Sequence, residues 1–236
     1  MPHSRKPKPP GTRTEKLHVV LRQAIIEQRL APGTRLPEDA IGESFGTSRT
    51  IAREALGRLA VEGLVELIPN RGAFVANPTL EDGRDIFAVR KALERLVLQE
   101  VAARMTPQMA EALRDLGQKE AESGPISEAE AIRLAGEFHL RLAELSGNAL
   151  LLRYVTELVS RCSLVLAMYG RPHSADCALN EHLALVEALA AGDAARAGDL
   201  MDQHLDAVAG RALMPKPVAT DIRSILASVS RDLGTT

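Results

Sequence analysis

The chain has few cysteines, no long apolar run and none of the short motifs that anchor common enzyme chemistries, and each absence removes a class of protein. Cys162 and Cys177 are its two cysteines, lack CxxC spacing and read as reduced thiols rather than a disulfide framework. No stretch of about 18 apolar residues is available to span a bilayer. The basic opening Met-Pro-His-Ser-Arg-Lys has no apolar run behind it of the kind a secretory signal needs, so a cytoplasmic location is expected. GxSxG, HExxH and P-loop patterns are missing, which leaves hydrolase and nucleotide-binding readings without their usual supports.

What is present suits two soluble globular domains: 236 residues, 45% apolar and 25% charged. The formal net charge of -2 conceals an asymmetry. Residues 1–78 carry 12 Lys and Arg against 8 Asp and Glu, whereas 79–236 carry 17 against 23. A basic half on an acidic chain fits a polyanion-binding module attached to something else.

Residues 1–11, rich in Pro, Lys and Arg, are expected to be a disordered basic arm. From Thr14 to about Arg29, Leu17, Val20, Leu21, Ala24 and Ile25 recur at three- and four-residue steps, predicting an amphipathic helix capped by Thr14. A second helix fits Glu38 to Phe45. Ser48 caps a third that runs to about Glu62, with Ile51, Ala55, Leu56 and Leu59 on its buried side. Leu64 to Ile68, the Pro69-Asn70-Arg71-Gly72 turn and Ala73 to Ala76 read as a β-hairpin.

Asn77-Pro78 then breaks the chain, and Thr79 with Asp82 opens the next helix. Beyond it the punctuation predicts helices near 80–104, 106–122, 127–145, 148–169, 176–191 and 193–212, with one more amphipathic stretch from Ile222 to Val229. The expected fold is therefore mainly α: a winged helix-turn-helix of three helices and a β-hairpin over 12–78, an all-α helical bundle over 79–214, and a tail over 215–236.

A helix enters a DNA groove only if its exposed face offers donors while the opposite face holds it to a scaffold. Ser48, Arg49 and Thr50 occupy the first turn of the third helix, where free N–H groups favour phosphate. Arg53 lies one turn beyond Arg49, and Arg71 with Gly72 forms the tip of the wing. The plainer alternative for the two helix arginines is a solvated face with pairs such as Arg49 to Glu54.

These residues resemble the GntR superfamily of bacterial regulators. Leu30-Ala31-Pro32-Gly33-Thr34-Arg35-Leu36-Pro37-Glu38 is similar to that family's link between its first two helices. Ser48-Arg49-Thr50, Arg53-Glu54-Ala55-Leu56, Glu62-Gly63-Leu64-Val65 and Arg71-Gly72-Ala73-Phe74-Val75 resemble its recognition helix and wing. The resemblance implies that Ser48, Arg49, Thr50, Arg53, Arg71 and Gly72 contact operator DNA. The chain departs from the family pattern at Ile51, where proline is common, and at Asp39, where some members place arginine.

In the second half, His139, His182 and His204 fall on three separate predicted helices, which antiparallel packing can aim at one centre. Three imidazoles and one further donor suit zinc or another divalent metal, although a single such histidine is more often a surface or hydrogen-bonded core residue. The segment resembles the FCD effector domain of one large GntR subfamily. Arg90-Lys91-Ala92-Leu93-Glu94, Phe138-His139, Ser146-Gly147-Asn148, Glu181-His182, Gly192-Asp193, Ala197 and His204 carry the likeness.

That resemblance implies a divalent metal (Zn, Ni or Mn) on the three histidines and an organic-acid effector, and a homodimer is expected because two half-sites on one DNA face match two-fold protein symmetry. Ala135 stands where metal-binding members carry an aspartate. Three outcomes stay open: metal on three imidazoles plus water or effector, organic ligand without metal, or a substitute donor such as Cys177. Glu137, two residues from His139, points away on a helix. Arg90 is the candidate effector contact, because a guanidinium facing a helical pocket can clamp a carboxylate bidentately; its alternative is an ion pair with Glu94 at i+4. The expected function is effector-controlled DNA binding by a repressor, not an enzyme. The competing reading is a metal-dependent hydrolase using the same histidines.

Overall fold

The computed structural model describes residues 12–122, 128–170 and 175–213, without side chains at 118–122, 128–129 and 175–179. The basic arm at 1–11, the tail at 215–236 with its expected helix over Ile222 to Val229, and the Cys177 side chain lie outside the described residues. The fold is mainly α, a winged helix-turn-helix followed by a helical domain. Among the described residues no helix is long and apolar enough to cross a membrane.

The N-terminal unit comprises α1 (Arg13–Ile26), α2 (Glu38–Ser44), α3 (Arg49–Val61), β1 (Val65–Ile68) and β2 (Gly72–Val75). Thr12, rather than Thr14, caps α1. Its hydroxyl accepts from the Glu15 backbone N–H while the Glu15 carboxylate accepts from the Thr12 N–H, a reciprocal box that a cap at Thr14 would lack. Thr14 is instead buried inside the helix and donates its hydroxyl to Glu54. The strands pair antiparallel from Val65 opposite Val75 to Ile68 opposite Gly72. Their turn places Asn70 at φ 60 and Gly72 at φ 99, left-handed values that glycine adopts without steric cost. Leu17, Leu21, Ile25, Leu56, Leu59, Leu64 and Val75 form the core of this unit.

The C-terminal unit contains α4 (Leu80–Ala102), α5 (Pro107–Glu122), α6 (Glu128–Leu145), α7 (Ala149–Tyr169), α8 (Ala175–Ala190) and α9 (Ala194–Leu213). Thr79 and Asp82 form the capping box that opens α4, and the Asn148 side chain accepts from two N–H groups at the start of α7. Leu98, Leu113, Phe138, Leu142, Val155, Leu185, Leu189, Met201 and Leu205 are buried in one cluster contributed by all six helices. Removing such side chains from water supplies most of the drive to pack the bundle.

Helix α7 belongs to both units. Its Leu164 packs in the winged-helix core, while Cys162 and Val165 pack with Ile86, Phe87 and Ala212 of α4 and α9. Ser160 Oγ accepts from Arg22 Nη2 on α1 at 2.7 Å, and Tyr169 donates its hydroxyl to the Pro78 carbonyl at 3.1 Å. Gly63, just past α3, has φ 69, and a Cβ there would stand 2.0 Å from Nε of Arg161. The left-handed backbone favours glycine here, and any side chain would displace the Arg161 guanidinium from this seam.

Candidate nucleic-acid interface and histidine centre

The exposed surface of the winged helix is organised by the start of α3. Ser48 caps that helix, its hydroxyl accepting from the Ile51 N–H at 3.3 Å, and Ser48, Arg49 and Thr50 are all exposed. The side chains of Arg49 and Arg53 are 60% and 63% exposed. Both reach one carboxylate: Glu38 at the start of α2 accepts from Arg49 Nε and from Arg53 Nε and Nη2, each at 2.8 Å. Hydrogen bonds from Arg53 and Arg49 hold the Glu38 carboxyl at about 2, below its ordinary 4.5.

The alternative pairing of Arg49 with Glu54 does not form. Five residues separate them, which turns Glu54 well away from Arg49 around the helix, and Glu54 instead meets Arg58 and Thr14. On the wing, Arg71 and Gly72 are exposed, and the Arg71 guanidinium lies 5.5 Å from the centre of the Phe74 ring. That contact restrains an arginine that remains exposed.

The three predicted histidines come together. His139 on α6, His182 on α8 and His204 on α9 are buried, with one potential ligand atom from each lying within 4.8 Å of the others. Phe138 stacks on His182 with ring centres 4.0 Å apart. Nδ1 of His139 meets Glu94 on α4, and Nδ1 of His204 meets Glu181 on α8 at 2.6 Å. Burial drives the His139 pKa down to about 3 despite Glu94, and burial lowers that of His204 too. Neutral rings donating Nδ1–H to carboxylates leave Nε2 with a free lone pair, the state a metal requires.

Arg90 is placed behind this centre. It is 4% exposed, its Nε donates to Glu94, and its Nη1 lies 3.2 Å from Cys162 Sγ. Burial opposes ionisation of Glu94, but the Arg90 charge prevails and holds the carboxyl at about 2. The Cys162 thiol moves upward because burial outweighs the same guanidinium, so it stays protonated. Ala135, one turn before His139, offers no donor, and Glu137 turns to Arg133 instead. Glu94 and Glu181, which meet the ring nitrogens, lie outside the expected site residues, and Cys162 touches Arg90 but not the histidines. The one advance sign was Glu94 at four residues from Arg90, the spacing that brings helix side chains together.

Two family models match the chain: bacterial regulatory proteins of the gntR family over residues 14–75, and the FCD domain over residues 85–207. The Nta operon transcriptional regulator of Aminobacter aminovorans is 35% identical over 136 residues, covering 58% of this chain and 65% of that protein. An uncharacterised HTH-type regulator in an unstable DNA locus of Streptomyces ambofaciens is 30% identical over 91% of this chain and 93% of its own length. A solved structure from Rhodococcus sp. RHA1, assigned as a transcriptional regulator GntR, superimposes with a TM-score of 0.72 at 26% identity, covering 86% of this chain and 98% of that one. The matching proteins are transcriptional regulators, which are not enzymes, and nothing in them favours a hydrolase use of the histidines.

Proposed function

Because the chain belongs to the bacterial GntR family of regulators, with an FCD domain behind its winged helix, we propose that it is a repressor whose operator affinity is set by a small organic acid at the histidine centre. The observation that carries this reading is the meeting of three buried imidazoles from three helices, two of them oriented by carboxylates. His139, His182 and His204 form a donor set that fits zinc, nickel or manganese. A divalent ion held there supplies a fixed positive charge that draws a carboxylate. Ala135 leaves the place of a fourth protein donor open, so effector or water completes the set.

Arg90 supports the centre from behind rather than clamping the effector. Its Nε donates to Glu94 and its Nη1 to Cys162, and turning the guanidinium away would strand a buried carboxylate. On the DNA side, Ser48, Arg49, Thr50 and Arg53 meet the major groove while Arg71 and Gly72 reach the adjacent minor groove. Two copies are needed for two half-sites. Val89 and Leu96 on α4, with Leu150 and Tyr154 on α7, are large apolar side chains left exposed on one chain, which supports a homodimer built on the bundle.

The test begins with metal analysis of protein purified without chelator. About one divalent ion per chain is expected, lost in His182→Ala. Gel shifts with DNA selected from random duplexes then read the effect of small organic acids with and without metal. Release of DNA on adding an acid is expected. A protein that prefers no duplex over random sequence sinks the regulator function, and tighter DNA binding with the acid reverses the repressor sign.

A further inference from the structure

We propose that α7 is the lever joining the histidine centre to the DNA-binding helix, gripping the centre through Cys162 and the winged helix through Ser160 and Arg161. The proposal rests on the reading of the three histidines as the regulatory site, and goes beyond it by naming the residues that couple that site to DNA.

One polar route runs from centre to seam. His139 meets Glu94, Glu94 meets Arg90, and Arg90 Nη1 meets Cys162 Sγ on α7 at 3.2 Å. Two residues earlier on the same helix, Ser160 accepts from Arg22 at 2.7 Å. Arg22 also donates to Glu62 at 3.1 Å, and Glu62 is the C-cap of α3. Glu94, Arg90, Cys162 and Ser160 are buried, which shields the route as far as α7, while Arg22 and Glu62 beyond it are partly exposed.

Helix geometry explains why α7 suits the task. At 100° per residue, Ser160 and Cys162 project about 200° apart, onto opposite sides of the helix. Cys162 therefore faces α4 while Ser160 faces α1. Between them Arg161 lies against Gly63, so that three consecutive residues of one rigid element touch the effector domain, the first helix of the reader and the end of the recognition helix. A rod gripped on both sides passes a small shift at one side to the other.

The seam also has room for that shift. A cleft of about 260 Å³, partly open to solvent and lined in part by Arg22, Gln23 and Ile26 of α1, Arg133 of α6, and Val159 and Ser163 of α7, lies beside the Ser160 contact. Packed side chains do not fill that cleft, so α1 can shift against α6 and α7 there without displacing core atoms. An ion held by the three imidazoles would fix the His139 ring, and Glu94, Arg90 and Cys162 would carry that restraint to α7.

The experiment measures zinc affinity by competition with a chromogenic chelator, and DNA affinity with and without zinc, for the wild type, Ser160→Ala, Cys162→Ala and the off-route control Arg114→Gln. In the wild type and the control, zinc is expected to change DNA affinity by on the order of tenfold. In both α7 variants that effect should fall below about threefold, while zinc affinity and zinc-free DNA affinity each stay within about threefold of wild type. Thermal melting checks that each variant is folded, and one folded α7 variant suffices. If zinc binds and the α7 variants keep the whole zinc effect, the lever is wrong while the histidine site stands. If the wild type binds no zinc, the histidine reading fails and takes the lever with it.

Discussion

Arginine meets glutamate in two regions of this molecule, and the surroundings differ. Glu38 holds Arg49 and Arg53 on the winged helix, where both guanidiniums are more than half exposed. Glu94 holds Arg90 in the bundle, where the two residues are 2% and 4% exposed. In water such a pair contributes little and is readily exchanged for phosphate, so Glu38 keeps two donors ordered without committing them. Inside the bundle, losing either partner strands a charge in a low-dielectric interior. The same chemistry thus gives a contact surface in one place and a fixture in the other.

The sharpest way to break this comparison is Glu94→Leu, which leaves Arg90 buried without its carboxylate. It is expected to cost about 3–5 kcal/mol of stability, read by urea unfolding. A variant as stable as the wild type would place Arg90 in the exposed class. Next in size, Arg49→Ala and Arg53→Ala should each cost about 1–3 kcal/mol of DNA binding with melting unchanged. Fluorescence anisotropy at two salt concentrations would show the accompanying drop in salt dependence if these side chains meet phosphate.

A smaller effect is expected from Glu38→Gln. Removing the carboxylate raises the positive potential of the face, so DNA binding should tighten a few-fold while stability changes by less than about 1 kcal/mol. Weaker binding would mean that Glu38 preorganises the arginines more than it competes with phosphate. The smallest signal is the titration of Glu38 itself. Its folded pKa lies below the ordinary 4.5, chiefly through Arg53, so its contribution is complete above about pH 4.5 and fades as pH falls toward 2. A carboxyl NMR titration should find the midpoint near 2, moving toward the ordinary carboxylate range in Arg53→Ala.

Local features were legible in the residues because their causes are local. Ser48 and Thr79 as caps, the glycine-tipped hairpin and the six bundle helices follow from periodicity and punctuation within a few positions. Thr14 does not cap α1 because Thr12, with Glu15 three residues on, takes that role. The Glu38 clamp spans 11 and 15 residues and depends on how α2 crosses α3. Glu94 finds His139 across 45 residues, and Arg90 finds Cys162 across 72. Nothing in the spacing of a cysteine within the apolar run of α7 marks it as the neighbour of a guanidinium, since tertiary packing alone brings them together.

Gly63 has a consequence for protein engineering. Its missing side chain is the notch into which Arg161 fits, one of the places where the DNA-reading head and the sensing body are matched to each other. A hybrid regulator that grafts this head onto another body would inherit the notch without its matching tooth. Transplanting the two residues together, rather than cutting at the linker alone, is the way to keep such a hybrid responsive.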